Sequence, residues 1–480
     1  MKDFQAYLSE TGEIGIVAQI VHSIVYVEGL PQARVYELVV FENGEMGQVL
    51  ALSLESVEVL LMTTNNIKVG TRVARTNQYL QIALGEDLLG KAIDPIGRKL
   101  GTRRQAIKSL ERRPVDSQPM GLLGRKDVSE PFETGVKMVD LTVPLGKGQR
   151  QLVIGDRKTG KSVFLNQIIE HQAKRGTVCV YAAIGKKQID IKRFIDFVNS
   201  RKIVKQSIVV ASGSADPSGM IFLTPYTAMT VAEYFRDKGH DVLLVLDDLS
   251  THAKYYREIT LLARRFPGRS SYPGDIFYIH ARLMERAGNF IKGSITCLPV
   301  AESIAGDLSG YIQTNLMSMT DGHLFFNSDR FNDGARPALD PFLSVTRVGL
   351  QAQTPLVRDL HRQLTSFLVQ LEGTKDLMHF GAEVSDSVRA SLKVGEIINT
   401  FFDQDSHRIV PLNISIVLMA AVWAGTWKSF ELEQLKKEFD KKINLYSQDD
   451  SFKKLVDSEI ARHESFGKLV ADIEKLGFSV

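Results

Sequence analysis

Gly155-Asp156-Arg157-Lys158-Thr159-Gly160-Lys161-Ser162 decides how this chain is read. The short apolar run Gln151-Leu-Val-Ile154 precedes it, and Val163-Phe-Leu-Asn-Gln-Ile-Ile169, apolar at helical spacing, follows. Strand, glycine loop and helix in that order form the context of a phosphate-binding loop. The glycines let successive backbone N–H groups converge on phosphate oxygens, and the helix N-terminus adds partial positive charge. Lys161 would reach the β- and γ-phosphates, and the Ser162 hydroxyl would sit on Mg²⁺. The bland alternative is a glycine turn that binds nothing; the fit of both flanks favours a nucleotide.

Outward from this loop, strands and helices alternate over residues 85–352, with strands expected at Gln151 to Ile154, Val178 to Ala183, Ser207 to Ala211 and Val242 to Leu246. That alternation argues for an α/β domain with a mainly parallel sheet, whose ligands bind at the carboxyl ends of the strands. Within a first domain bounded at 1–84, residues from about 12 to 84 read instead as short β-branched runs, such as Ile14-Gly-Ile-Val17 and Ile24-Val-Tyr-Val27, with a hairpin signal at Asn43-Gly44. Closely spaced strands without a helical period suggest a small β-barrel. Residues 353–480 turn helical. Leu432, Leu435, Phe439 and Ile443 fall three or four apart, and Ile414 to Gly425 reads as a fully buried helix. The expected fold is therefore multidomain: barrel, phosphate-loop domain, helical bundle.

Composition narrows the function classes. The chain has 480 residues, 44% hydrophobic and 24% charged, and a formal net charge of +3. That is an ordinary globular balance, too mild to name nucleic acid as the main partner. No aromatic cluster among basic residues in the barrel stretch supports base stacking. Cys179 and Cys297 both lie in apolar runs and read as core residues, not as a disulfide or a metal site. The run Ile414 to Gly425 is too short to cross a bilayer, so a membrane role would come through partners.

Leu243-Leu-Val-Leu-Asp247-Asp248 is an apolar strand ending in two acids. Asp247 would hold Mg²⁺ through its water shell while Asp248 orients neighbours; a plain acidic turn is the alternative.

Asp247-Asp-Leu-Ser-Thr-His-Ala253, Arg264-Arg-Phe-Pro-Gly-Arg269, Tyr272-Pro-Gly-Asp-Ile-Phe-Tyr-Ile-His-Ala-Arg-Leu-Met-Glu-Arg286, Pro144-Leu-Gly-Lys-Gly-Gln-Arg150 and Thr314-Asn-Leu-Met-Ser-Met-Thr-Asp-Gly322 closely resemble the α subunit of F-type rotary ATP synthases. The similarity runs from about residue 10 to 410 and then weakens. The resemblance implies a β-barrel crown, a nucleotide-binding core for ATP or ADP with Mg²⁺, and a helical bundle. It also implies an alternating ring of three such chains with three β-type catalytic subunits, around a γ-type central stalk. The implied place is peripheral, on the cytoplasmic face of an energy-transducing membrane such as a bacterial inner membrane. Contact with the membrane is then only through the proton- or sodium-translocating sector. The family carries a longer N-terminal helical segment that binds the peripheral stalk. Here about a dozen residues precede the barrel stretch, so an altered stalk attachment is expected.

In-line attack on a γ-phosphate needs a carboxylate to position water. In the related β subunits a Glu follows the Gly after the strand beyond the phosphate loop. This chain reads Tyr181-Ala-Ala-Ile-Gly185-Lys186, where the α family has Gln. Lysine has the wrong charge for that work. It either donates to the γ-phosphate or faces solvent, and in both cases the site binds without reacting. Lys158 stands where the family commonly has Gln, and either tightens nucleotide or is simply exposed. Ser344-Val-Thr-Arg347-Val-Gly349 resembles the arginine-finger segment, which implies that Arg347 reaches into the catalytic site of the adjacent β subunit. Without the resemblance Arg347 would read as an ordinary surface or paired arginine. Phe331, Arg336 and Pro337 match the segment bordering the adenine, and Gln404 lies near a family glutamine that meets the base. Three rivals remain: a hexameric export ATPase, which would need an acid in place of Lys186; an RNA translocase, which the mild charge disfavours; and a structural ring spacer that has lost nucleotide, which the intact Lys161, Ser162 and Asp247 disfavour.

Overall fold

The computed structural model describes residues 3–63, 67–101, 111–379 and 386–473. The chain parts into two compact units. One holds residues 1–126, 173–302 and 308–320, and the other holds 127–172, 303–307 and 321–480.

In the first unit six antiparallel strands close a barrel: Ile14–Val21, Ile24–Glu28, Val57–Leu61, Met46–Leu52, Glu37–Phe41 and Arg72–Tyr79, in that spatial order. Valines explain the closure. Val17, Val25, Val27, Val39, Val49, Val59 and Val73 fill the interior with Phe41, as alternating β-branched residues of a small barrel do. Asn43 and Gly44 sit in the turn between Glu37–Phe41 and Met46–Leu52, with Gly44 at φ 83° and the Asn43 side chain accepting from the Glu45 N–H. Arg75 is buried beside Glu37 at 3.2 Å and Glu13 at 2.9 Å. A helix, Phe4–Thr11, precedes the strands, within the dozen residues ahead of the stretch read as all-β. Eight residues are too few to show a helical period, but Asp3 caps the start and Gly12, at φ 67°, closes the end. Phe4 and Tyr7 fasten this helix to Val40 and Ala74 on the barrel's outside.

The same unit carries a parallel sheet in the order Ser294–Glu302, Asp241–Asp247, Val178–Lys186, Ser207–Gly213 and Ala92–Ile93. Its strands are almost wholly buried, as a sheet covered on both faces requires. All three strands expected here from the sequence are present, each a little longer at its carboxyl end. Cys179 and Cys297 are both buried.

In the second unit Leu152–Gly155 runs parallel to Gly322–Phe326, which pairs antiparallel with Val345–Thr346. Among the described residues six helices follow: Pro355–His379, Asp386–Phe402, Leu412–Ala424, Leu432–Gln448, Asp450–Arg462 and Phe466–Asp472. Leu412–Ala424 is the buried one, stopped by Gly425 in the left-handed conformation at φ 80°. Leu435, Phe439 and Ile443 are buried as the spacing predicts, but Leu432 is exposed. It occupies the first helical position, three residues ahead of Leu435, where burial begins. Among the described residues, no helix is long and apolar enough to cross a membrane.

Candidate nucleotide site

The phosphate loop grows from the second unit. Leu152–Gly155 is buried throughout and ends where a side chain is impossible: a Cβ on Gly155 would lie 2.3 Å from the Phe326 carbonyl oxygen. Asp156 then anchors the loop. Its carboxylate accepts from the Ser303 hydroxyl at 2.5 Å, the Ser328 hydroxyl at 2.7 Å and the Gly306 N–H at 3.0 Å. Burial works to raise its pKa, but these hydrogen bonds outweigh it and hold the carboxyl below its ordinary range. Arg157 and Lys158 are exposed, and Lys158 takes φ 65°. The Thr159 hydroxyl donates to the Asp156 carbonyl at 2.8 Å, and Gly160 turns the chain at φ 95°. Lys161 opens the helix Lys161–Lys174, its ammonium donating to the Gly155 and Asp156 carbonyls at 2.6 Å each. Ser162, in the first helical turn, is exposed.

A cavity of about 400 Å³ lies beside this loop in the same unit. Thr159, Gly160 and Phe164 bound it on the loop side, and Phe331, Arg336, Pro337 and Gln404 on the other. All four residues expected near the adenine thus converge with the phosphate loop. Arg336 lies 3.8 Å over the Phe331 ring, and its Nη1 donates to the Phe331 and Ala335 carbonyls at 2.9 and 2.7 Å. The Gln404 amide is committed elsewhere. Its Nε2 donates to the Gly135 and Arg408 carbonyls at 2.8 and 2.7 Å, and its Oε1 accepts the Lys137 N–H at 2.9 Å. Gln404 therefore shapes the wall without offering the base an N–H donor. The sequence reading missed Phe164 and Asp156 in these roles. Phe164 looks like any core residue of an apolar helix, and the partners of Asp156 are more than 140 positions away along the chain.

Lys186, Asp247 and Asp248 come together in the first unit. Ala183 pairs with Asp247 across the parallel ladder, so both strands deliver their ends to one edge. The Lys186 ammonium lies 2.7 Å from Asp247 Oδ1 and 3.3 Å from Asp248 Oδ2. The Tyr181 hydroxyl donates to Asp247 Oδ2 at 2.7 Å. Asp248 also caps the helix Leu249–Leu262, accepting from the Thr251 N–H at 2.6 Å and its hydroxyl at 3.0 Å. Burial works to lower the lysine's pKa, but the two carboxylates outweigh it and raise it, so the ammonium stays charged. This donor set does not suit a magnesium arm. Each oxygen of Asp247 already accepts from an O–H or an N–H, and a fixed positive charge stands on it. Among the described residues, no group of three or more His, Cys, Asp and Glu is placed to hold a metal ion.

Arg347 is exposed, just beyond Val345–Thr346, on a firmly built turn. Its N–H donates to the Asp321 carbonyl at 2.8 Å, and the Asp321 carboxylate is gripped by Arg150 at 2.9 Å. Thr346 Oγ1 donates to the Pro144 carbonyl at 3.0 Å and accepts the Gly349 N–H at 3.0 Å. A Cβ at Gly349 would fall 1.9 Å from that same carbonyl oxygen, so only glycine permits the turn.

Residues 135–346 match the family model described as ATP synthase alpha/beta family, nucleotide-binding domain. ATP synthase subunit alpha of Neorickettsia sennetsu is 38% identical over 446 residues, covering 90% of this chain and 87% of that protein. ATP synthase subunit alpha 2 of Syntrophus aciditrophicus is 36% identical over 428 residues, covering 88% and 82%. With its phosphate loop, its adjoining cavity and relatives aligned along nearly its whole length, the chain belongs to the ATP synthase alpha subunit family.

Proposed function

We propose that this chain is the non-catalytic, ATP- or ADP-holding member of a rotary ATPase ring, and that it lends Arg347 to the active site of an adjacent β-type subunit. One observation carries the non-catalytic part: where a water-positioning carboxylate belongs, Lys186 stands with its ammonium bound to Asp247 and Asp248. A cation cannot polarise attacking water as a base, and this one leaves neither acid free to do so. The phosphate loop with its adjoining 400 Å³ cavity supports retention of a nucleotide. Exposure of Arg347 on a rigid turn supports its role in trans, since a guanidinium is always charged and can neutralise charge developing on a transferred phosphoryl group. In this reading the ring also meets a γ-type central stalk, works on the cytoplasmic face of an energy-transducing membrane, and couples its turnover to proton or sodium movement.

The test is to purify the chain alone and together with its β-type partner, and to measure bound nucleotide and ATPase in each. Nucleotide without turnover is expected from the chain alone, and turnover only from the mixture. Repeated turnover by the lone chain would refute the reading.

A further inference from the structure

We propose that Lys137 is a positioning residue for the base end of the nucleotide cavity: its ammonium holds the wall formed by residues 403–406, so that grip on the base depends on it while grip on the phosphates does not. The inference rests on the nucleotide-holding role proposed above, and every residue it uses lies in the second unit.

Asp403, Gln404, Asp405 and Ser406 line the cavity, and they follow directly on the helix Asp386–Phe402. The last carbonyls of a helix have no partner within it, and a cation placed among them also meets the negative end of the helix dipole. Lys137 supplies that cation. Its ammonium donates to the Phe401 carbonyl and, at 3.4 Å, to the Asp403 carbonyl, and it lies 4.7 Å from the centre of the Phe401 ring. Its backbone N–H donates to Gln404 Oε1 at 2.9 Å. One residue thus fixes the point where the chain leaves the helix and the Gln404 side chain within the wall. Further along the loop a second strap comes from the helix Lys161–Lys174, whose Gln167 donates to the Asp405 and Arg408 carbonyls at 3.1 and 3.3 Å. The phosphate loop is anchored separately, by Asp156 on the Ser303 and Ser328 hydroxyls.

The charge makes this more than packing. Lys137 is 4% exposed. Burial, helped by the Arg408 charge, pushes its pKa down to about 8. Asp403 and Asp440 work against that shift, yet each is engaged elsewhere: Asp403 Oδ2 accepts from Lys436 at 2.7 Å, and Asp440 Oδ1 accepts from Arg408. A charge buried at such cost is weak evidence for stability, because an apolar side chain of similar volume in its place is often neutral or stabilising. What the ammonium provides is direction. Charge-assisted bonds to the Phe401 and Asp403 carbonyls set where the cavity wall begins.

The test compares ATP with inorganic tripolyphosphate, which offers the phosphate loop similar groups and no base. Both are titrated in excess magnesium chloride as competitors of a fluorescent ATP analogue, on the purified full-length chain and on its Lys137→Met variant. ATP is expected to bind the variant roughly tenfold more weakly, and tripolyphosphate to bind both chains alike within about twofold. Hydrogen exchange read by mass spectrometry should show the amides of residues 403–406 exchanging faster in the variant, with those of the phosphate loop unchanged. A loss shared equally by the two competitors would overturn the inference, since general loosening would produce it. So would ATP affinity unchanged within about twofold. A variant that failed to fold would overturn it as well, because the ammonium would then be holding the fold and not the cavity. If the wild type bound neither competitor, the nucleotide-holding role would fall and this inference with it; if both bound and their ratio did not change in the variant, this inference alone would fall.

Discussion

At the scale of single residues the outcome depends on what each side chain is already doing. Arg347 is exposed on a turn that only glycine at 349 allows. Arg347→Ala is therefore expected to leave folding and nucleotide content unchanged while ring turnover falls by about 10³-fold or more. Arg347→Lys should not restore it, because an ammonium lacks the planar fork. Steady-state ATPase of the reconstituted ring checks both. Gln404 behaves oppositely. Its amide joins Gly135, Lys137 and Arg408. Gln404→Ala should cost roughly 2–4 kcal/mol of stability by stranding those buried groups, with little change in the preference for adenine over guanine nucleotides. Chemical denaturation and competition binding separate the two effects. Lys161, Ser162 and Asp247 announce themselves in sequence because their neighbours along the chain carry the signal. The hydrogen bonds that commit Gln404 and Asp156 do not, because Gly135, Lys137, Ser303 and Ser328 lie far from them along the chain.

At the scale of elements, three helices of the first unit meet through a buried ring cluster. His252 on Leu249–Leu262 faces His280 on Ile276–Met284 at 3.0 Å, and His252 stacks on Phe222 of Ser218–Asp237. The Phe222 carbonyl can only accept, so His252 Nε2 carries the proton and its Nδ1 accepts from His280 Nε2–H. Burial pushes the His252 pKa down to about 4 and that of His280 well below the ordinary value. Both rings are therefore neutral in the folded chain, whereas the unfolded chain takes up protons below about pH 6.5. Their contribution to stability is full above that pH and is lost as pH falls from 6.5 towards 4. His252 alone should account for a loss on the order of 3 kcal/mol across that window. His252→Gln, which keeps one donor and one acceptor, should remove that share of the slope between pH 6.5 and 4 and leave the share of His280, and urea melts at stepped pH would show it. Strands and helices themselves were largely legible beforehand, since valine runs and the period of the Leu432–Gln448 helix are local signals. The Phe4–Thr11 helix was not, because two caps and eight residues carry no period.

At the scale of the whole molecule, barrel, parallel sheet and helical bundle follow one another as the changing sequence pattern suggests. Compactness divides the chain differently. The phosphate loop and the late helices belong to one unit, while the barrel and the strand bearing Asp247 belong to the other. No sequence pattern announces that division, because it depends on chain segments that leave a unit and return to it. The same limit explains Lys186. Its charge was enough to exclude a catalytic base, but its grip on Asp247 appears only when two strands lie side by side. The full chain is expected to retain nucleotide through gel filtration without hydrolysing it, and scintillation counting of radiolabelled ATP against free phosphate would check this.

Asp156 has one further consequence. Two hydroxyls and a backbone amide already hold the loop's curve from within. An arriving ligand then finds a finished cradle, and the entropy of ordering that cradle was surrendered when the chain folded. Arrival should be set by diffusion and charge attraction, and residence time alone should distinguish tight from weak ligands. Removing the aspartate would turn docking into moulding, with arrival slowed before departure is touched.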